Sequence, residues 1–153
     1  MFSRIYGAVL FGLNGCLITV ETDIANGLPS FDIVGLATVA VKEAKERVRT
    51  AVKNSGLAFP VRRITVNLAP ADMKKEGAAL DLPIAVALLV SSGQIAPESC
   101  EDSVFIGELS LDGLIRPTVG VLSMVIAAKE SGMRTVYVSP ENGAEALLCE
   151  GIT

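Results

Sequence analysis

Histidine is absent from this chain of 153 residues, and that one absence removes several chemistries together. Neither a Ser-His-Asp or Cys-His nucleophile nor an imidazole metal site can be built. Cysteine is scarce: Cys16, Cys100 and Cys149 form an odd, scattered set. They make neither a zinc knuckle nor a disulfide framework, and are expected to be small buried apolar residues in a reducing cytoplasm. Aromatics are 5% of a chain that is 50% hydrophobic, so the core must come from Val, Leu, Ile and Ala. The longest apolar run, residues 82–90, contains Pro83 and is far short of the roughly 18 residues a membrane span needs. Met1-Phe2-Ser3-Arg4 lacks the uninterrupted apolar region of a signal peptide. A net charge of −4 offers no global pull toward nucleic acid or anionic lipid.

What is present reads as one soluble α+β domain. Asn14-Gly15, Asn26-Gly27 and Asp112-Gly113 supply the positive φ angles of tight hairpin turns. Residues 4–13, 16–24 and 30–34 therefore read as a three-stranded antiparallel meander, and residues 104–109 and 114–116 as a second hairpin. Val41, Ala44, Val48, Ala51 and Val52 recur at helical spacing and predict a helix over residues 39–55. Ile64, Val66 and Leu68 alternate with Arg63, Thr65 and Asn67, as in a strand with one wet face. Residues 80–92 predict a helix apolar nearly all round and hence central. A third helix is expected over residues 119–131, a strand over 135–138, and a last helix from the Ser139 cap through Leu148. The order βββαβαββαβα implies a mixed sheet with helices packed on it, not a regular doubly wound fold.

Residues 62–83 run from an alternating strand through a Pro-Ala-Asp turn and a Lys-Lys-Glu-Gly loop into an apolar helix. This is a place for a nucleophile, yet no Ser, Cys or Thr lies between Asn67 and Val90. No lysine follows a glycine, which excludes a P-loop, and no GxGxxG follows a strand. Asp72, Glu76 and Asp81 surround one loop, where they suit either magnesium or ordinary turn and cap chemistry. Lys42, Lys45, Arg49 and Lys53 fall within one arc of the helix over residues 39–55, and Arg62 and Arg63 follow. Such a stripe tracks phosphates or is simply a solvated helix face, with Glu46 and Glu43 diluting its field. No aromatics interleave the bases of the helical stripe, so stacking on single strands is not supported.

The segments FDIVG (residues 31–35), KEAKERVRTAVKNS (42–55), RRITVNLAP (62–70) and KEGAALDLP (75–83) closely resemble the N-terminal domain of ComM/YifB-type proteins, the magnesium-chelatase-like ATPases of bacteria. The likeness runs from SRIYGAVLFGL at the start to SPENGAEA near the end. One departure stands out: Ala37-Thr38-Val39 replace the family's Pro-Asp pair after the VGL turn, which affects any role of that aspartate and the cap of the first helix.

The resemblance implies a single Lon-like N-terminal domain over residues 1–153, preceding an AAA+ ATPase module and a C-terminal domain that this chain does not contain. It implies a Lon proteolytic-domain-like fold, shared with RadA and with domain two of a ribosomal small-subunit protein, with a left-handed βαβ crossover. It further implies a homohexameric ring in the longer protein, which would bind ATP and magnesium outside this domain and migrate DNA branches during natural transformation. Porphyrin metallation does not follow. In Lon-type proteases a Ser-Lys dyad does the work; by motif its positions here are Ala79, in the loop of Lys75, Glu76 and Gly77, and Leu122. Two hydrocarbon side chains can neither attack a carbonyl nor take a proton, so the domain is expected to have no peptidase activity and no cofactor of its own. Its expected contacts are its own ATPase module, DNA through the basic residues, and no membrane. Two other readings are a protein-recognition module using sheet edges or the first hairpins, and a metal-dependent enzyme using the loop from Asp72 to Asp81.

Overall fold

Phe2 to Ala25 alternate in burial, and they fold back on themselves across a glycine. In the computed structural model, which describes residues 1–153, the strands are β1 (Phe2–Phe11), β2 (Asn14–Ala25), β3 (Ser30–Val34), β4 (Arg63–Ala69), β5 (Ser103–Phe105), β6 (Glu108–Leu109), β7 (Ile115–Arg116) and β8 (Thr135–Tyr137). The helices are α1 (Val39–Lys42), α2 (Ala44–Asn54), α3 (Asp81–Ser91), α4 (Val121–Glu130) and α5 (Gly143–Ala146). β1 and β2 pair antiparallel from Phe2↔Asp23 to Phe11↔Asn14. Their two-residue turn is Gly12-Leu13, with Gly12 at φ 65°, rather than Asn14-Gly15. Gly15 serves packing instead: a Cβ there would lie 2.3 Å from the carbonyl oxygen of Ser123 in α4.

Six strands form one mixed sheet in the order β3-β4-β2-β1-β5-β8. The expected meander is therefore wrong at its third strand. β4 takes the lane beside β2 over seven residue pairs, and β3 lies outside it, parallel to β4. The connector at residues 26–29, with Gly27 at φ 144° and Pro29 lacking an N–H, is no two-residue hairpin and carries the chain past the neighbouring lane. The second hairpin is shorter than expected. Gly107 breaks the run over residues 104–109, because its N–H goes to the Ala79 carbonyl and its C=O accepts from Leu82 N–H. β5 joins the main sheet, and only β6 and β7 pair across Asp112-Gly113. Asp112 accepts from the Ser110 hydroxyl and the Leu114 N–H, contacts that hold its carboxyl below the usual range.

Alternation divides the core in two. Ile5, Val9, Ile18, Val20, Phe31, Ile33, Ile64, Val66 and Leu68 face α2 and α3, while Ala8, Val104 and Ile106 face α4. Ten of the eleven α3 residues are buried, as the all-round apolar pattern requires. The apolar positions expected on the first helix are all buried, but the helix breaks at Glu43. Its first turn is capped by Thr38, whose hydroxyl accepts from Val41 N–H, so this chain caps the helix without a Pro-Asp pair. The last helix begins later than its cap: Ser139 caps a 3₁₀ turn over Pro140–Asn142, and α5 stops at Ala146 before exposed Leu147 and Leu148. Of the cysteines, only Cys100 is buried; Cys16 and Cys149 are half-buried at the core margins, and all three are free thiols. No helix is long and apolar enough to cross a membrane.

Candidate functional site

The Lys-Lys-Glu-Gly loop splits sharply by environment. Lys74 and Glu76 are exposed and pair with each other at 3.5 Å, whereas Lys75 is 0% exposed. The Lys75 ammonium donates to the carbonyl of Gly35 at 2.6 Å and to that of Pro70. Its backbone N–H donates to Leu36, and its C=O accepts from Thr38 N–H. Burial pushes its pKa below the ordinary lysine value, and Asp72 pulls the other way. Lys75 thus ties the β3–α1 turn to the loop after β4, a role its charged neighbours in sequence conceal.

Ala79, which the family resemblance aligns with a nucleophile, is buried at the edge of a cavity of about 450 Å³. Residues 76–79 form one wall of that cavity and residues 117–119 face them, over a floor of Leu10 and Met124. Asn142 holds the second wall by accepting from the Thr118 N–H at 2.9 Å and donating to its C=O at 3.2 Å. The fold therefore brings residues 76–79 and residues 117–119 to one place. Leu122 itself does not line the cavity; it is half-buried in α4 and its N–H donates to Glu145 Oε2 at 2.9 Å.

The acidic trio does not assemble, which corrects the metal reading. Asp72 is exposed, Glu76 is paired with Lys74, and Asp81 is buried in α3. Asp81 accepts two hydrogen bonds from Arg47, at 2.6 and 3.0 Å, and one from Leu109 N–H at 3.1 Å. Burial pushes the Asp81 carboxyl up while these donors oppose it; donating to Asp81 holds Arg47 above its ordinary value. No group of three metal-ligating side chains forms anywhere. Sequence reasoning missed the Arg47–Asp81 pair because its members are 34 residues apart and Arg47 has a local partner in Glu43.

The basic residues are partly gathered and partly scattered. Arg49, Lys53 and Arg62 line one concavity of about 180 Å³ beside Ser30, Phe59 and Val61, with no carboxylate in its wall. Lys42 lies across the Glu43 break, and neither it nor Lys45 reaches the concavity. Arg63 is separated from Arg62 because alternation along β4 places it with Thr65 and Asn67, opposite core residues Ile64, Val66 and Leu68. Arg49 is also held by Glu46 at 2.7 Å, and its guanidinium sits 5.5 Å from the centre of the Phe59 ring. Phe59, which lies between Lys53 and Arg62 in the sequence, thus adds an aromatic to these bases.

The mixed α+β architecture is the setting for what comparison shows. The model of the family "Subunit ChlI of Mg-chelatase" matches residues 20–142, and the chain belongs to that family. It is 48% identical over 134 residues to the uncharacterized protein YifB of Salmonella typhimurium, covering 88% of this chain and 26% of that protein. It is 41% identical over 144 residues to competence protein ComM of Haemophilus influenzae, covering 94% and 28% respectively. Similarity to Lon protease of Mycolicibacterium smegmatis is weaker, at 26% over 143 residues, covering 89% of this chain and 18% of that protein. The chain thus spans less than a third of the length of these relatives.

Proposed function

We propose that this chain is a non-catalytic, DNA-contacting N-terminal scaffold domain of a ComM/YifB-like ATPase. The observation that carries the reading is the convergence of Arg49, Lys53 and Arg62 on one concave surface free of carboxylates. Cations arranged so neutralise phosphates and release counterions, whatever the overall charge of the domain. Glu46 weakens this field only modestly, because it is exposed and exposed pairs contribute little. One relative is named a competence protein, and we extend that role to the longer protein containing this domain. There, a cytoplasmic homohexameric ring would migrate DNA branches, with ATP and magnesium bound in an AAA+ module outside this chain. The domain would hold ring geometry and guide the strand.

The weak likeness to Lon supports a Lon-type framework with its left-handed crossover. Ala79 and Leu122 offer no nucleophile or base, which supports a contact role over peptide hydrolysis.

Fluorescence anisotropy with a labelled four-way DNA junction, across a salt series, tests the reading. The wild-type domain should bind with affinity that falls steeply with salt. R49E/K53E/R62E should weaken binding at least tenfold and flatten the salt slope by about 2–3, near 0.9 per lost phosphate contact. K42E/K45E should have the smaller effect. Equal affinity of wild type and the triple variant overturns the reading.

A further inference from the structure

We propose that the open edge of β1 is a strand-addition site for an extended peptide in which apolar and basic residues alternate. β1 runs from Phe2 to Phe11, but its neighbour β5 has only three residues and registers with β1 at Tyr6↔Val104 alone. Residues 2–5 are therefore paired with β2 on one side and with no strand on the other. Five consecutive residues, Phe2 to Tyr6, line one cavity of about 500 Å³. Side chains of successive strand residues point to opposite faces, so a cavity that touches five in a row lies along the backbone edge. That edge presents unpaired N–H and C=O groups, which template an added strand. Its free length, roughly 13 Å at about 3.3 Å per residue, takes about four residues of a partner.

The opposite bank identifies the partner's chemistry. The 3₁₀ turn Pro97–Cys100 and the two residues after it put Glu98, Glu101 and Asp102 on the rim, all exposed. Buried Ile5, Val90 and Cys100 form an apolar floor. The basic side chain in this lining, Arg4, is engaged by Glu21 at 3.3 Å and lies over the Phe2 ring. Asp102 has an exposed partner, Arg134, at 3.9 Å, too loose and too wet to neutralise the rim. An added strand alternates its side chains between floor and rim, so apolar residues fit the floor and lysines or arginines meet the carboxylates. The inference stands apart from the DNA reading, since it concerns different residues and the opposite charge.

The test uses a fluorescein-labelled heptapeptide of alternating lysine and valine, titrated with the wild-type domain and read by anisotropy. Saturable binding is expected, with amide NMR shifts confined to residues 2–6 and 97–104. Glu98→Lys/Glu101→Lys, two surface changes that leave the core untouched, should weaken binding at least tenfold. The same peptide with N-methylated backbone at alternate residues should also bind at least tenfold more weakly, while R49E/K53E/R62E should bind the unmodified peptide as wild type does. Absence of saturable binding overturns the proposal. So does equal affinity for the N-methylated peptide, which would reduce the contact to charge alone. Sedimentation showing that the edge is already closed by a second copy of the chain would overturn it too.

Discussion

The guanidinium of Arg47 holds the carboxylate of Asp81 through two hydrogen bonds, and Asp81 is only 1% exposed. The pair fastens α2 to the start of α3, and the third bond from Leu109 N–H adds the β6 strand to the same point. Cutting one partner strands a charge in the interior. R47M should destabilise the domain by about 3–5 kcal/mol in urea denaturation. The double variant R47M/D81L should recover most of that loss, because an apolar pair of similar volume leaves no uncompensated charge. If R47M costs nothing, the pair does not support the fold.

Lys75 makes stability depend on pH in a specific direction. Burial lowers its folded pKa below the ordinary value of 10.5, so the native state releases this proton before the unfolded chain does. Between the two values the unfolded state binds more protons, and stability rises with pH. Below the folded value the group contributes no slope. K75M lacks the group altogether. The Tm of wild type relative to K75M should therefore shift in favour of wild type as pH is raised from 7 toward 10 in thermal melts. A constant gap, or one moving the other way, contradicts the buried ammonium.

Installing a serine at Ala79 and a lysine at Leu122 should not create a protease. Ala79 lines the cavity between residues 76–79 and 117–119, but Leu122 stands outside it. A79S/L122K and wild type should both leave fluorescent casein at the buffer rate. Cleavage by the double variant would mean that the lysine reaches the serine, and cleavage by wild type would defeat the non-catalytic reading.

Gly35 should be less replaceable than Gly12. It has φ 107°, and an added Cβ would lie 2.2 Å from the carbonyl oxygen of Leu68. Gly12 has φ 65° and nothing within 4 Å of its Cβ position. G35A should cost more than about 2 kcal/mol in chemical denaturation, and G12A about 1–2 kcal/mol from backbone strain alone. Equal losses would mean that close approach to β4 contributes nothing.

Legibility in the sequence followed the range of the interaction. The helices α2, α3 and α4 and the strand β4 were readable because burial on one side imposes a period on neighbouring residues, as Ala44, Val48, Ala51 and Val52 show in α2. The position of β3 was not readable, because nothing local distinguishes an antiparallel neighbour of β2 from a parallel neighbour of β4. Residues 75–79 were legible as a motif, but that residues 76–79 and 117–119 line one cavity without Leu122 required the packed structure. The basic residues were legible as a helical arc. Only the chain's return at Phe59 and Arg62 selected Arg49 and Lys53 from that arc and separated Arg62 from Arg63.

The sequence by itself determined which side chains must leave water, that no histidine is available, and where charge lies along the chain. Those are properties of residue type and spacing, set by hydrophobicity and backbone sterics. Tertiary structure alone decided which of two adjacent lysines is buried, which carboxylate meets Arg47, and which strand edge stays open. Each of these depends on distant segments being brought within a few ångströms, where desolvation and hydrogen bonding discriminate between residues that look alike in sequence.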